Sequence, residues 1–380
     1  MPNAVVPNGH AFRSDPWQAP SVLQYGMAHI SLVLPFALPV PEFAPDLIRA
    51  LHAPALAALL SRTAEHGFHP LDPQTRALPH ELWIARALGL ARGQEPAVAA
   101  SAMRGLGLDP GDGTWFVVNP IHIQIASTHL MMADPRQLAL QESEGRALFE
   151  SARAGVAEAG HLLVYGSADT WFLRADAWND LHTASPDAAV GMSLTDWMPT
   201  GAPARAFRKL QNEVQVTWYT DPVNAAREAR GQVAVNAIWP WGGASIATEQ
   251  AGRLVANARG KPAAAPLLVT HAVPGWLDAL AARRAAAPAD LLADIDGAAD
   301  LLLVAGGAAA PAIGADWDGW LRAMHGLEAD LFAPLLELVK SGRIAGLRLV
   351  LSHRDGHLET LTTPMAQRKF WRRNTLENLI

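Results

Sequence analysis

The densest group of chemistry-bearing side chains in this 380-residue sequence is SHRDGH, Ser352 to His357, with two histidines and an aspartate in six positions. His353, Asp355 and His357 offer two imidazoles and a carboxylate, a donor set suited to one zinc or manganese ion. The run before them, LRLVLSH, reads as a buried strand followed by a loop, and ligands of open α/β sheets bind outside the carboxyl ends of strands. The alternative is a polar turn whose side chains satisfy local backbone groups, because one short loop seldom closes a metal site unaided. Asp316 and Asp318 would add ligands from a neighbouring strand end, or cap the helix that begins there. Capping is the expectation.

Other candidates are weaker. His80 and Glu81 start like a zinc-protease helix, but Ile84 stands where the second histidine must sit one turn on. GLGLDPG (Gly105 to Gly111) has the wrong glycine spacing for a dinucleotide turn, and RGKP (Arg259 to Pro262) lacks both the leading glycine and the hydroxyl of a phosphate loop. Gly191, Ser193 and Thr195 do not complete a nucleophile elbow. VNAIWPWGG (Val235 to Gly243) ends a strand with two tryptophans and paired glycines, which suits close approach of a ligand, although core packing is the preferred explanation of Trp239 and Trp241 on composition alone. Asn212 to Gly231 concentrates amides, acids and arginines on a helix and its exit. The basic RKFWRR tail reads as a docked or solvated end.

The elements that must position these groups follow from composition. Half of the residues are hydrophobic and 17% are charged, against roughly a quarter charged in an average domain, so the chain has a large core to bury. A net charge of −6 gives no basic field for nucleic acid. With no cysteine, disulfides, thiolate metal sites and cysteine nucleophiles are excluded. The apolar runs at Met27–Val40 and Leu301–Ala315 are too short or too broken to span a bilayer, and the first lacks a basic leader. The expectation is a soluble, cytoplasmic protein that binds neither membrane nor nucleic acid.

HISLVLPF (His29 to Phe36), PLLVTHAV, ADLLLVAGG and LRLVLSH are nearly continuous apolar runs, as strands covered on both faces require. Helices are expected from Asp46, as N-cap, to about Thr63, over Leu82–Leu90 closed by Gly89, and over Trp317–Ser341. Thr114–Ile125 reads as a strand, Glu142–Ala159 as a helix, and His161–Ala175 as a hairpin. The expected fold is therefore α/β, a mostly parallel sheet with helices on both faces and an inserted α+β subdomain. Residues 1–24 form an irregular lead-in, 25–112 and 230–373 the discontinuous core, and 113–229 the insertion.

The run DPVNAAREARGQVAVNAIWPWGG resembles the archaeal-type cofactor-independent phosphoglycerate mutases of the alkaline phosphatase superfamily. AHISLVLPF, LPHELWIARALGL, LQNEVQ and VNAIWPWGG are more closely similar to bacterial RpfE-type regulatory proteins. The resemblance runs from about His29 to Asp355. It implies an alkaline-phosphatase-like core with a substrate cap, two divalent metals and a transiently phosphorylated serine. Two cations about 3.5–4 Å apart need several aspartates and histidines to hold them.

Those residues are depleted here. Where the family opens with Asp-Gly after the first strand, this chain has Pro35 and Phe36. Where the family has its serine, in a Pro-Gly-Ser-Asp turn, this chain has Pro79, His80 and Glu81. Gly306–Asp318 is mostly Ala and Gly, with Asp316 and Asp318 as survivors, and Asp-His-Gly becomes Ser352, His353 and Arg354. Val118 and Trp171 stand in place of expected phosphate-gripping arginines, while Arg227 remains.

Three readings follow. The first is a catalytically silent regulator, with no cofactor, that binds a phosphorylated or carboxylated metabolite or a protein partner around Asn224, Arg227, Asn236, Trp239, Trp241 and Gly242. The second is an active mutase or phosphomonoesterase with a rebuilt manganese or zinc site drawn from His80, Asp316, Asp318, His353, Asp355 and His357. The third is a metal-poor reaction with His80 as base or nucleophile. Losing even one charge-stabilising group costs several kcal/mol of barrier, so the first reading is preferred.

Overall fold

A computed structural model describes residues 29–126, 129–258, 266–296 and 300–379. The lead-in 1–24 and all of RGKP lie outside these residues. In chain order the strands are β1 (His29–Leu34), β2 (Glu65–Pro70), β3 (Ala91–Arg92), β4 (Glu95–Pro96), β5 (Trp115–Ile121), β6 (Ile123–Ala126), β7 (His129–Met132), β8 (Leu162–Tyr165), β9 (Trp171–Arg174), β10 (Ala237–Ala244), β11 (Leu267–His271), β12 (Arg283–Arg284), β13 (Asp300–Ala305), β14 (Gly346–Ser352) and β15 (Gly356–Thr362).

A seven-stranded sheet runs β12-β11-β13-β1-β14-β15-β2. Its first five strands are parallel; β15 runs antiparallel to both β14 and β2. A four-stranded antiparallel sheet runs β10-β5-β9-β8.

The continuous apolar runs mark strands buried on both faces. Along β1, Leu32 and Leu34 pack with the helices Pro54–Ser61, Trp317–Leu327 and Ala333–Lys340. The intervening Val33 packs with the helices Pro79–Leu88, Ala99–Gly105 and Gly275–Leu280 on the other side. That second core also takes Trp115 and Val117 of β5, whereas the alternate residues Phe116 and Val118 enter a third core under the helices Glu142–Glu158 and Ala204–Tyr219. The period-2 alternation of β5 thus joins two cores, and the layers stack helix, sheet, helix, sheet, helix.

The structure departs from the sequence expectations at definite places. VNAIWPWGG, expected to return to the parallel sheet, forms β10 and pairs antiparallel with β5. Full burial of all eight β10 residues explains the misreading, because an apolar run does not encode the direction of its partner. Asp46 is not an N-cap: the helix Ala44–Ala50 begins after Phe43, and Asp46 pairs with Arg49 in its first turn. The chain then breaks before Pro54, and Glu328 caps the new helix Pro54–Ser61 by accepting from the N–H groups of Ala55 (2.6 Å) and Leu56 (3.1 Å). SHRDGH is the tight turn of a hairpin, so His357 already lies on β15, opposite Ser352. No helix among the described residues is long and apolar enough to cross a membrane.

Candidate functional site

Three segments meet at the carboxyl edge of the parallel strands. The chain leaving β1 turns at Phe36, whose φ of +56° is a left-handed conformation that costs a side-chain-bearing residue roughly 1–2 kcal/mol. Phe36 N–H donates to Ser352 Oγ at the end of β14 (3.3 Å), and Trp320 Nε1 donates to Phe36 O (2.9 Å). His80, the second residue of the helix Pro79–Leu88, places Nδ1 2.9 Å from the same Ser352 Oγ and its ring edge-on to Phe36 at 5.5 Å.

Ser352 Oγ, with one hydrogen and two lone pairs, accepts from Phe36 N–H and shares one hydrogen bond with His80 Nδ1. Burial, and next the nearby His357, push the His80 pKa down to about 3, so the ring is neutral at pH 7.

Glu81 follows His80 and is 2% exposed. Its Oε2 accepts from Leu78 N–H (3.0 Å), capping the helix, and it bonds Ser185. Burial pushes its pKa up to about 7, against those hydrogen bonds, with Asp187 adding to the rise. Arg354 donates to the backbone carbonyls of Asp187, Ala188 and Val190, at 2.8–3.2 Å, and so ties the β14–β15 turn to the segment bearing Ser185.

Beside this cluster lies a cavity of about 600 Å³, within the range of small-molecule sites. Pro35, His80 and Glu81 form one wall. Asn119, Arg136, Asp169, Ser185 and Asp187 come from the segments around the antiparallel sheet, and Trp276, Leu277 and Ala309 follow β11 and β13. Arg136 is clamped between Asp134 and Asp187, each at 2.9 Å. Asn119 accepts from Trp241 Nε1 (2.8 Å) and donates to Asp169 O (2.7 Å).

Of the residues singled out by sequence, His80 lines this cavity and Trp241 reaches it through Asn119 and an edge-on contact with Trp276 at 5.2 Å. The others serve the interior. Asn224 binds Val235 through both amide atoms, and Asn236 binds Ile123 in the same way. Trp239 donates to Ala184 O. Gly242 sits at φ +65°, where an added Cβ would lie 3.0 Å from Val98. Arg227 is fully buried, and each guanidinium nitrogen donates to the protein: to Val233 O (2.9 Å), Glu144 (2.6 Å) and Leu138 O (2.6 Å).

Asp316 is the N-cap of Trp317–Leu327, accepting from Gly319 N–H at 2.8 Å, and Asp318 lies in its first turn. His353 Nδ1 accepts from Asp355 N–H (2.9 Å). These residues do not gather into one donor set. At the strand edge, Phe36, His80, Ser352 and His353 do not supply the carboxylates that two adjacent cations require. Among the described residues, the three-ligand group close enough for one ion is His69, His357 and Glu359, on β2 and β15.

Sequence reasoning missed Glu81, Asn119, Arg136 and Asp187. Glu81 had a signal, an acid two residues after a proline that opens a helix. The others are isolated polar residues in separate segments.

No protein-family model and no curated protein matches the chain. Among solved structures, the fold is similar to that of the PH0037 protein from Pyrococcus horikoshii, with a TM-score of 0.50 and 12% identity over 93% of this chain and 92% of that one. A cofactor-independent phosphoglycerate mutase from Thermoplasma acidophilum aligns over 93% of this chain and 94% of that one, with 14% identity and a TM-score of 0.42. At 12% identity the likeness to the PH0037 protein is one of fold.

Proposed function

We propose that this protein is a catalytically silent relative of the cofactor-independent phosphoglycerate mutases, on an alkaline-phosphatase-like core, that acts as a small-ligand-binding regulator of the RpfE type. In this reading the antiparallel sheet and its helices are the cap subdomain, and the ligand occupies the cavity beneath it. The observation that carries the reading is the lock among Phe36, Ser352 and His80. It fills the strand edge with an aromatic ring, a hydroxyl and a neutral imidazole, where phosphoryl transfer would need a nucleophile flanked by metal ligands.

The cavity suits recognition better than chemistry. Its wall is more apolar than polar, and the His80 ring and the Glu81 carboxyl are among its hydrogen-bonding groups. Arg136 is already paired with Asp134 and Asp187, so a metabolite with one carboxylate matches the lining better than a phosphate dianion does.

A coupled assay with 3-phosphoglycerate and a generic phosphomonoester is expected to give no turnover that His80→Ala removes. Thermal-shift screening of carboxylated and phosphorylated metabolites is expected to raise the melting temperature for a monocarboxylate, since ligand at a hundred times Kd adds about 2.7 kcal/mol to the native state. Turnover that depends on two divalent ions per chain and disappears in His80→Ala would overturn the reading.

A further inference from the structure

We propose that His69, His357 and Glu359 form a mononuclear site for a divalent transition cation, zinc foremost, on the β2–β15 edge of the large sheet and separate from the cavity. β15 pairs with β2 so that His357 faces His69 and Glu359 faces Gly67. Residues two apart on a strand share a face, so His357 and Glu359 project together, and directly opposed residues bring their Cβ atoms to about 4.5–5.5 Å. The two imidazoles accordingly stack at 5.0 Å with their planes 23° apart.

Gly67 marks which way the His69 ring turns. A Cβ built there would lie 3.5 Å from His69 Nε2, so the His69 ring leans across the glycine towards Glu359. One donor atom from each of the three residues lies within 4.8 Å of the others.

The carboxylate is held in place for this task. Trp83 Nε1 donates to Glu359 Oε2 at 2.9 Å, and Arg348 pairs with Oε1. A carboxylate has about four lone-pair positions, so these bonds leave room for a cation while fixing the orientation of the group, as outer partners of metal ligands do. Arg348 also places a positive charge nearby, which weakens the site relative to a fully acidic cage. Two imidazoles and one carboxylate with open water positions select zinc or cobalt over magnesium or calcium, which favour all-oxygen shells. None of the three residues lines the cavity, so the proposal goes beyond the ligand-binding reading.

The test is isothermal titration of Zn2+ into full-length protein first treated with a chelator and then dialysed free of it. One ion per chain is expected, with no response to Mg2+. His69→Ala, His357→Ala and Glu359→Gln should each weaken binding at least about tenfold. Co2+ should give a visible absorption band that is absent from His69→Ala. His66→Ala is the control, because three residues from His69 it projects from the opposite face of β2.

If Glu359→Gln fails to fold without its pairing to Arg348 and Trp83, His69→Ala decides the matter, since His69 lies exposed on the edge strand. The proposal is overturned if the wild-type protein binds Zn2+ no more tightly than about 1 mM, the weak end of the affinity scale. Wild-type affinity in His69→Ala, or an equal loss in His66→Ala, overturns it as well.

Discussion

Replacing Glu81 with glutamine tests the electrostatics of the cavity wall. The folded protein holds this carboxyl at about 7, against 4.5 for an unperturbed glutamate, because burial outweighs the hydrogen bonds that favour the anion. The folded state therefore binds the proton more tightly than the unfolded state does. The stabilisation linked to that proton is complete below pH 4.5 and is lost as pH rises through 7. A shift of this size corresponds to about 3 kcal/mol.

Glu81→Gln keeps the acceptor for Leu78 N–H and cannot ionise, so the variant lacks this pH dependence. Urea unfolding of both proteins from pH 4 to 8.5 isolates the effect, since titrations shared by the two cancel in the difference. The wild type should lose about 3 kcal/mol relative to the variant across that range, mostly between pH 5 and 7.5. A flat difference, or one that grows in favour of the wild type as pH rises, would show that the Glu81 carboxyl is ionised in the folded protein. Because Glu81 lines the cavity, any monocarboxylate found by screening should also bind more tightly at pH 6 than at pH 8.

His80 has the opposite sign. Its folded pKa of about 3 lies below the usual 6.5, so stability is full above 6.5 and falls as pH drops towards 3. His80→Gln should abolish an acid loss of about 3 kcal/mol between pH 7 and 4, read from urea midpoints. Arg227→Met removes the fully buried partner of Glu144, which keeps Arg230 and Gln141 N–H, and takes the side-chain donor from Val233 O and Leu138 O. Chemical denaturation should show a loss of about 3–5 kcal/mol. Ser352→Ala removes the hydroxyl shared by Phe36 N–H and His80 and should cost about 1–3 kcal/mol at pH 7 by the same measurement.

Legibility in the sequence followed the physics of each element. β1, β13 and β14 were readable because a strand covered on both faces must be apolar throughout, and HISLVL, DLLLVA and GLRLVLS nearly are. β15 was missed because GHLETLT buries only alternate residues and follows a polar turn, while β2, EHGFHP, is an edge strand with almost every residue exposed. The helix expected over Trp317–Ser341 is present, but with a π turn at Glu328–Phe332 before Pro334, whose missing N–H interrupts the regular ladder.

The same logic separates what could be read of the sites from what could not. His80 and Ser352 lie more than 270 residues apart, yet each ends or begins an element at the strand edge, so locating the elements brings the two residues together. Arg227, Asn224 and the tryptophans rest on local composition and on the family resemblance, neither of which gives the direction of a side chain, and theirs turn inward. His69 and Glu359 could not be paired from sequence at all, because their proximity depends on a register that a one-residue slip would destroy by sending His357 to the other face. Functional density in this fold therefore follows strand ends and cross-strand register. A motif search along the chain passes over both, and a site such as His69–His357–Glu359 emerges only once the pairing of β2 with β15 is known.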